Sequence, residues 1–174
     1  KELVYWVASA TAGAEVNESL TNTVYDGEYE VDAKLKKSEY IKGIQAGQFL
    51  FYEEDGELRV LRDINCFTSF AAAKNSDFSS NRVVRVLDSI ANDVANIFSK
   101  YYLGKQSNNA NGRNLLKAEI LAYHEQLMKI EAIENFTADD ITVEKGAEKQ
   151  DVVVYENVQP VDAMEKLYMK VEVV

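Results

Sequence analysis

Residues 80–130 read SNRVVRVLDSIANDVANIFSKYYLGKQSNNANGRNLLKAEILAYHEQLMKI, and they decide the class of fold. Val83, Leu87, Ile90, Val94, Ile97, Phe98 and Tyr101 recur at helical spacing, while Arg82, Arg85, Asp88 and Asp93 fall largely on the other side. Ser79 or Ser80 can cap the start of this helix, and Gly104 stops it just past Tyr102. A polar loop over 105–111 leads to a second helix over about 112–130. Its stripe is Leu116, Ile120, Tyr123 and Leu127, with Leu115 and Ile130 at its flanks. So short a connection predicts that the two helices are antiparallel neighbours.

Strand signals lie on both sides of this pair. Upstream, residues 48–52 and 58–62 are β-rich runs separated by Glu53-Glu54-Asp55-Gly56-Glu57, and the Asp-Gly pair favours the positive φ angles of a tight hairpin turn. Before the hairpin, Ser38 is a plausible cap for a short helix with Tyr40, Ile41 and Ile44 on one face, ending near Gly47. Residues 17–29 are polar, carry Asp26-Gly27, and predict a loop with one short strand at most. Residues 2–10 begin as a nearly continuous apolar run, Leu3 to Val7, which suits a strand covered on both faces or a buried helix turn. Downstream, residues 132–136 read as extended, Thr137-Ala138-Asp139-Asp140 as a turn, Ile141-Thr142-Val143 as a strand, and residues 146–150 as a charged linker. Strands, two helices, then strands predict an α+β fold: a mainly antiparallel sheet with two long antiparallel helices packed on it.

The chain ends DVVVYENVQPVDAMEKLYMKVEVV over residues 151–174. Two β-rich runs, 152–155 and 167–174, flank Pro160, the only proline. Leu167, Met169, Val171 and Val173 alternate with Tyr168, Lys170, Glu172 and Val174, the pattern of a half-buried strand. A strand at a chain end can pair at home or add to a neighbour's sheet. The organisation expected is therefore a core domain over 1–150 and an extended C-terminal strand arm over 151–174. Its candidate subunit-interface residues are Val152, Val154, Tyr155, Leu167, Met169, Val171 and Val173.

Composition sets the remaining bounds. The 174 residues, 47% hydrophobic and 28% charged, suffice for one domain or for one domain with an arm. A net charge of -10 would repel nucleic-acid phosphates, and Lys and Arg are interspersed where an acidic DNA mimic would need one acidic face. No apolar run approaches a membrane span, and no signal peptide is visible. The chain opens on Lys1 and not on Met, so an upstream portion is expected.

Chemistry finds little purchase. Cys66, the lone cysteine, sits in an apolar stretch and reads as a small buried hydrophobe. His124, the lone histidine, lies one step off the apolar face and reads as a partly exposed helix residue. The scattered glycines form no phosphate loop. Asp139-Asp140 and Glu53-Glu54-Asp55 match no calcium loop and read as solvated turns. No catalytic residue, cofactor or metal is expected. Ten tyrosines, Tyr101-Tyr102, Tyr155 and Tyr168 among them, suit wet interfaces as well as core filling.

A series of short words along the whole chain resembles the C-terminal part of contractile phage tail sheath proteins, of the kind found in phages and defective prophages of Gram-positive bacteria. They include Tyr5-Trp6-Val7-Ala8, Val60-Leu61-Arg62-Asp63-Ile64-Asn65, Asn81-Arg82-Val83, Tyr101-Tyr102-Leu103-Gly104-Lys105 and Asn111-Gly112-Arg113. The most specific is Gln159-Pro160-Val161-Asp162-Ala163-Met164-Glu165-Lys166-Leu167-Tyr168-Met169. The resemblance implies a structural protein of the virion, assembled in the bacterial host cytoplasm, that polymerises with itself in a helical array around the tail tube. It implies tube and baseplate proteins as partners, with no nucleic acid or membrane bound. It also implies that terminal arms add strands to neighbouring subunits' sheets. Family members carry a further N-terminal region with an arm of its own. The alternatives are another tail or baseplate structural protein and a small acidic binding module.

Overall fold

The apolar run near the start of the chain is a helix and not a strand. In the computed structural model, which describes residues 3–173, helix α1 covers Leu3–Gly13. Leu3, Trp6, Val7, Ala10 and Ala14 recur at three and four residues, and that face packs against a buried core of Leu20, Phe51 and Val60. The opposite side, Val4 and Tyr5, is exposed. Aromatic rings join the face to the hairpin edge to face, with Trp6 5.0 Å from Tyr25 and 5.6 Å from Phe51. Trp6 Nε1 donates to Asp26 at 2.7 Å.

Helix α2, Lys37–Gln45, begins two residues earlier than a Ser38 cap would allow. Lys36 occupies the cap position, and the Glu39 carboxylate reaches back to accept from the Lys36 backbone at 2.7 Å. Gly47, at φ +69°, turns the chain out of the helix against the backbone of Asn65 and Cys66.

The hairpin forms as the Asp-Gly pair predicts. Strands β1, Phe51–Glu54, and β2, Glu57–Val60, pair antiparallel with Phe51 opposite Val60. Asp55 and Gly56 have φ of 52° and 82°, the double positive of a type I′ turn. Val24 bridges Arg59, so the preceding loop contributes the one short strand contact expected of it. Cys66 is exposed, contrary to the buried position expected, because β2 ends at Val60 and the irregular stretch after it buries Asp63 and Ile64 but leaves the thiol outside.

Helix α3 covers Asn81–Ile97 and runs on through one wide π turn, Phe98–Tyr102, where Leu103 N donates to Phe98 O. Ser80 takes the cap position, its hydroxyl 3.5 Å from Val83 N. Of the expected stripe Val83 and Ile90 are buried and Leu87, Val94, Ile97 and Phe98 half-buried, with Val86 buried beside them, whereas Tyr101 is exposed.

The described residues divide into two units. One comprises the chain up to Val84 together with the stretch from Asp162 onward, and the other runs from Arg85 to Val161. In the second unit helix α4, Ala110–Lys129, buries Leu116, Ile120, His124 and Leu127, and lies against the strands that follow it. Asn109 caps α4 by accepting from Gly112 N at 2.8 Å. Strand β3, Ile133–Glu134, pairs antiparallel with β6, Gln159–Pro160, and β4, Ile141–Lys145, pairs antiparallel with β5, Val152–Glu156.

Among the described residues the architecture is thus α+β with four α-helices, but the single sheet expected is three separate two-stranded ladders. Residues 146–150, expected as a linker, form the connection of the β4–β5 hairpin, closed by Gly146 N donating to Asp151 O at 2.9 Å. Asn108 donates to the carbonyls of Lys149 and Asp151 and so ties that connection to the start of α4.

Candidate functional site: the C-terminal segment and its anchorage

The residues singled out as interface candidates fall in two places. Val152, Val154 and Tyr155 lie on β5, in the unit that runs from Arg85 to Val161. One edge of β5 is taken by β4, and the other carries no strand among the described residues. Val152 and Val154 are half-buried. They line an apolar groove of about 260 Å³ with Val94 and Phe98 of the α3 region and Leu116 of α4. A larger trough of about 800 Å³ continues along Tyr102, Leu103, Asn108, Arg113 and Val153. Tyr155 points outward and is exposed.

Leu167, Met169, Val171 and Val173 form the second group, and here the expected strand is absent. Residues 161–173 have no regular secondary structure. The four apolar side chains are 87%, 77%, 74% and 97% exposed. Alternation needs a partner to become a ladder, and among the described residues the segment has none. Val174, also assigned to that strand, lies outside the described residues.

The root of the segment is held firmly, by residues that the sequence reading did not single out as functional. Glu165 accepts from the Thr21 hydroxyl at 3.0 Å through one carboxylate oxygen and pairs with Arg62 Nε through the other. Three residues earlier, Asp162 accepts from the Ser80 hydroxyl at 3.1 Å. These partners belong to one polar node centred on Asp63, which is 2% exposed. The Asp63 carboxylate accepts from Leu20 N at 3.0 Å and from Asn81 Nδ2 at 2.8 Å, and Asp63 N donates to Thr21 Oγ1 at 2.9 Å. A buried carboxylate satisfied this way fixes the residues around it. Nothing local in the sequence signals the clasp, since Arg62 and Glu165 are 103 positions apart.

His124 is fully buried and not partly exposed as expected. Its ring stacks on Phe136 at 4.1 Å, and Nδ1 lies 2.9 Å from Ile120 O. Strand β5 covers it, with the Glu156 carboxylate 3.1 Å from Nε2 and off the line of a hydrogen bond. With no exposed surface and its ring stacked on Phe136, it is a packed core residue. Asp139-Asp140 is a turn as expected. Asp140 accepts from the Thr137 hydroxyl and backbone, which holds its carboxyl below the ordinary range. Among the described residues no group of three or more His, Cys, Asp or Glu side chains could hold a metal ion, and no helix is long and apolar enough to cross a membrane.

The segment from Leu167 to Val173 is thus exposed and apolar, anchored at its root, and comparison with known proteins gives it a context. The phage tail sheath protein central domain matches residues 1–66, and the phage tail sheath C-terminal domain matches residues 73–174. The chain belongs to the phage tail sheath protein family. It is similar to the phage-like element PBSX protein XkdK of Bacillus subtilis, 34% identical over 97% of this chain and 38% of that protein. It is also similar to the tail sheath protein of Clostridium phage phiCD119, 31% identical over 83% of this chain and 39% of that one. Among solved structures, the sheath tail protein of Desulfitobacterium hafniense superposes with a TM-score of 0.83 at 47% identity, covering 95% of this chain and 39% of that one. The chain therefore spans about two fifths of the length of the tail sheath relatives it matches.

Proposed function

We propose that this chain is the C-terminal portion of a structural subunit of a contractile tail sheath. The subunit polymerises around the tail tube, and contraction of the helical array drives the tube through the target envelope. The observation that carries the reading is the segment from Leu167 to Val173: four alternating apolar side chains, 74% exposed or more, on a backbone with no ladder partner among the described residues. Exposed apolar alternation is a liability in a lone subunit and an asset in a lattice, where a neighbour's strand edge covers it.

In this reading residues 151–174 act as the arm region in two roles. The segment from Leu167 adds as a strand to a neighbouring copy. Strand β5, with Val152 and Val154 facing a groove and its second edge unpaired, receives the corresponding segment of another. Such donor-to-acceptor contacts are heterologous and build an open helical array, not a closed dimer. The role is structural, requires no catalytic residue or cofactor, and places the assembled protein in the virion after assembly in the host cytoplasm. Its partners are further copies of itself, the tail tube and the baseplate.

Negative-stain electron microscopy of the purified full-length protein tests this directly. Striated tubes are expected. A full-length protein that stays monomeric under all assembly conditions contradicts the reading.

A further inference from the structure

We infer that Glu165 is a positioning residue: it fixes where the C-terminal segment leaves its own subunit, and it makes Lys166–Leu167 the pivot of that segment. The consequence for assembly rests on the arm reading above, but the latch itself is a property of the single chain.

The chain meets its own body twice just before it goes free, at Asp162 on Ser80 and at Glu165 on Thr21 and Arg62. Both carboxylate oxygens of Glu165 are engaged, one by a hydroxyl and one by a guanidinium, so its backbone is held to a narrow range of positions. The Glu165 side chain is 16% exposed and that of Arg62 33%, so solvent screens the pair only in part. Thr21 is itself fixed by Asp63 N, and Asp63 by Leu20 and Asn81. The latch is therefore mounted on the most buried polar group of its unit.

One residue later the restraint ends. Leu167, Tyr168 and Met169 are 77% exposed or more, and the ion pair further along, Lys170 with Glu172, joins two exposed side chains within the segment itself. A segment free from its root would sample a wide cone. One held at Glu165 starts from a fixed point and direction, which reduces the ordering cost of pairing with a neighbour.

Two lysines, Lys166 at the root and Lys170 within the free part, give an internal test. Trypsin must bind several residues on each side of the bond it cuts, so cleavage after Lys166 requires the latch to open, whereas cleavage after Lys170 does not. Mass spectrometry of the released peptides from this chain gives both rates. In Glu165→Gln, and separately in Arg62→Gln, cleavage at Lys166 is expected to rise roughly threefold to tenfold, the effect of losing one charge-assisted contact. Cleavage at Lys170 is expected to stay unchanged, which separates the latch from general destabilisation.

The exchanged pair Arg62→Glu with Glu165→Arg is expected to restore part of the protection. An unchanged Lys166 to Lys170 ratio in both single variants overturns the inference, whatever the full-length protein assembles into. A raised ratio, together with full-length Glu165→Gln that fails to form tubes or forms irregular ones, supports the latch and its role in assembly. A raised ratio with normal tubes keeps the latch and removes its role in assembly.

Discussion

His124 Nε2 stands 3.1 Å from the Glu156 carboxylate, a contact between mid-α4 and the last residue of β5. The ring is fully buried, lies flat on Phe136, and directs Nδ1 at Ile120 O. A histidine enclosed like this holds a helix, a hairpin strand and the residues after β3 in one arrangement. Removing it empties ring-sized space and leaves Glu156 without its neighbour. His124→Ala is expected to cost about 2–4 kcal/mol in urea unfolding, and His124→Phe, which keeps the stack and most of the volume, clearly less. A loss below about 0.5 kcal/mol for the alanine variant would mark the residue as peripheral.

Tyr123, the next residue, donates to Asp93 Oδ2 at 2.8 Å and so ties α4 to α3. Burial pushes its phenol well above the ordinary range, and the Asp93 hydrogen bond and charge add to that shift. A folded pKa raised above the unfolded value near 10 has a definite sign. The stabilising contribution is complete below about pH 10 and is lost as the pH rises towards the folded value. Tyr123→Phe is expected to cost about 1 kcal/mol at neutral pH and to flatten the alkaline limb of the stability profile. An identical alkaline limb in the variant contradicts the assignment.

Two glycines separate backbone strain from steric collision. Gly56 has φ +82° with open space where a Cβ would stand, whereas Gly47, at φ +69°, would place a Cβ 2.8 Å from Cys66 Cα and 2.9 Å from Asn65 O. Gly56→Ala is expected to cost about 1–2 kcal/mol, the left-handed term alone. Gly47→Ala is expected to cost visibly more, because backbone must also move. Equal losses in thermal unfolding would show that the α2 exit relaxes freely.

What was legible in the sequence follows from the range of the interaction responsible. The Asp55-Gly56 turn, the Ser80 cap and helix α4 are set by neighbours within a few residues, and each stands where residue types place it. Helix α1 was not decidable from its apolar run. Its helical face is defined by partners such as Tyr25 and Phe51, which lie well beyond it in the chain. The burial of His124 comes from Phe136 and Glu156, and the clasp on Glu165 from Thr21 and Arg62, contacts that no local pattern encodes. The alternation of residues 167–173 says that a strand partner is wanted but not where it lies, and within this chain those side chains stay exposed.

The central claim is that the segment from Leu167 onward joins subunits. Deleting residues 167–174 from the full-length protein, with folding checked by circular dichroism, tests it most directly. The deleted protein is expected to fold with the thermal stability of the parent, because the segment buries almost nothing at home, and to form no tubes in negative-stain micrographs. Tubes of normal length and striation from the deleted protein would contradict the account.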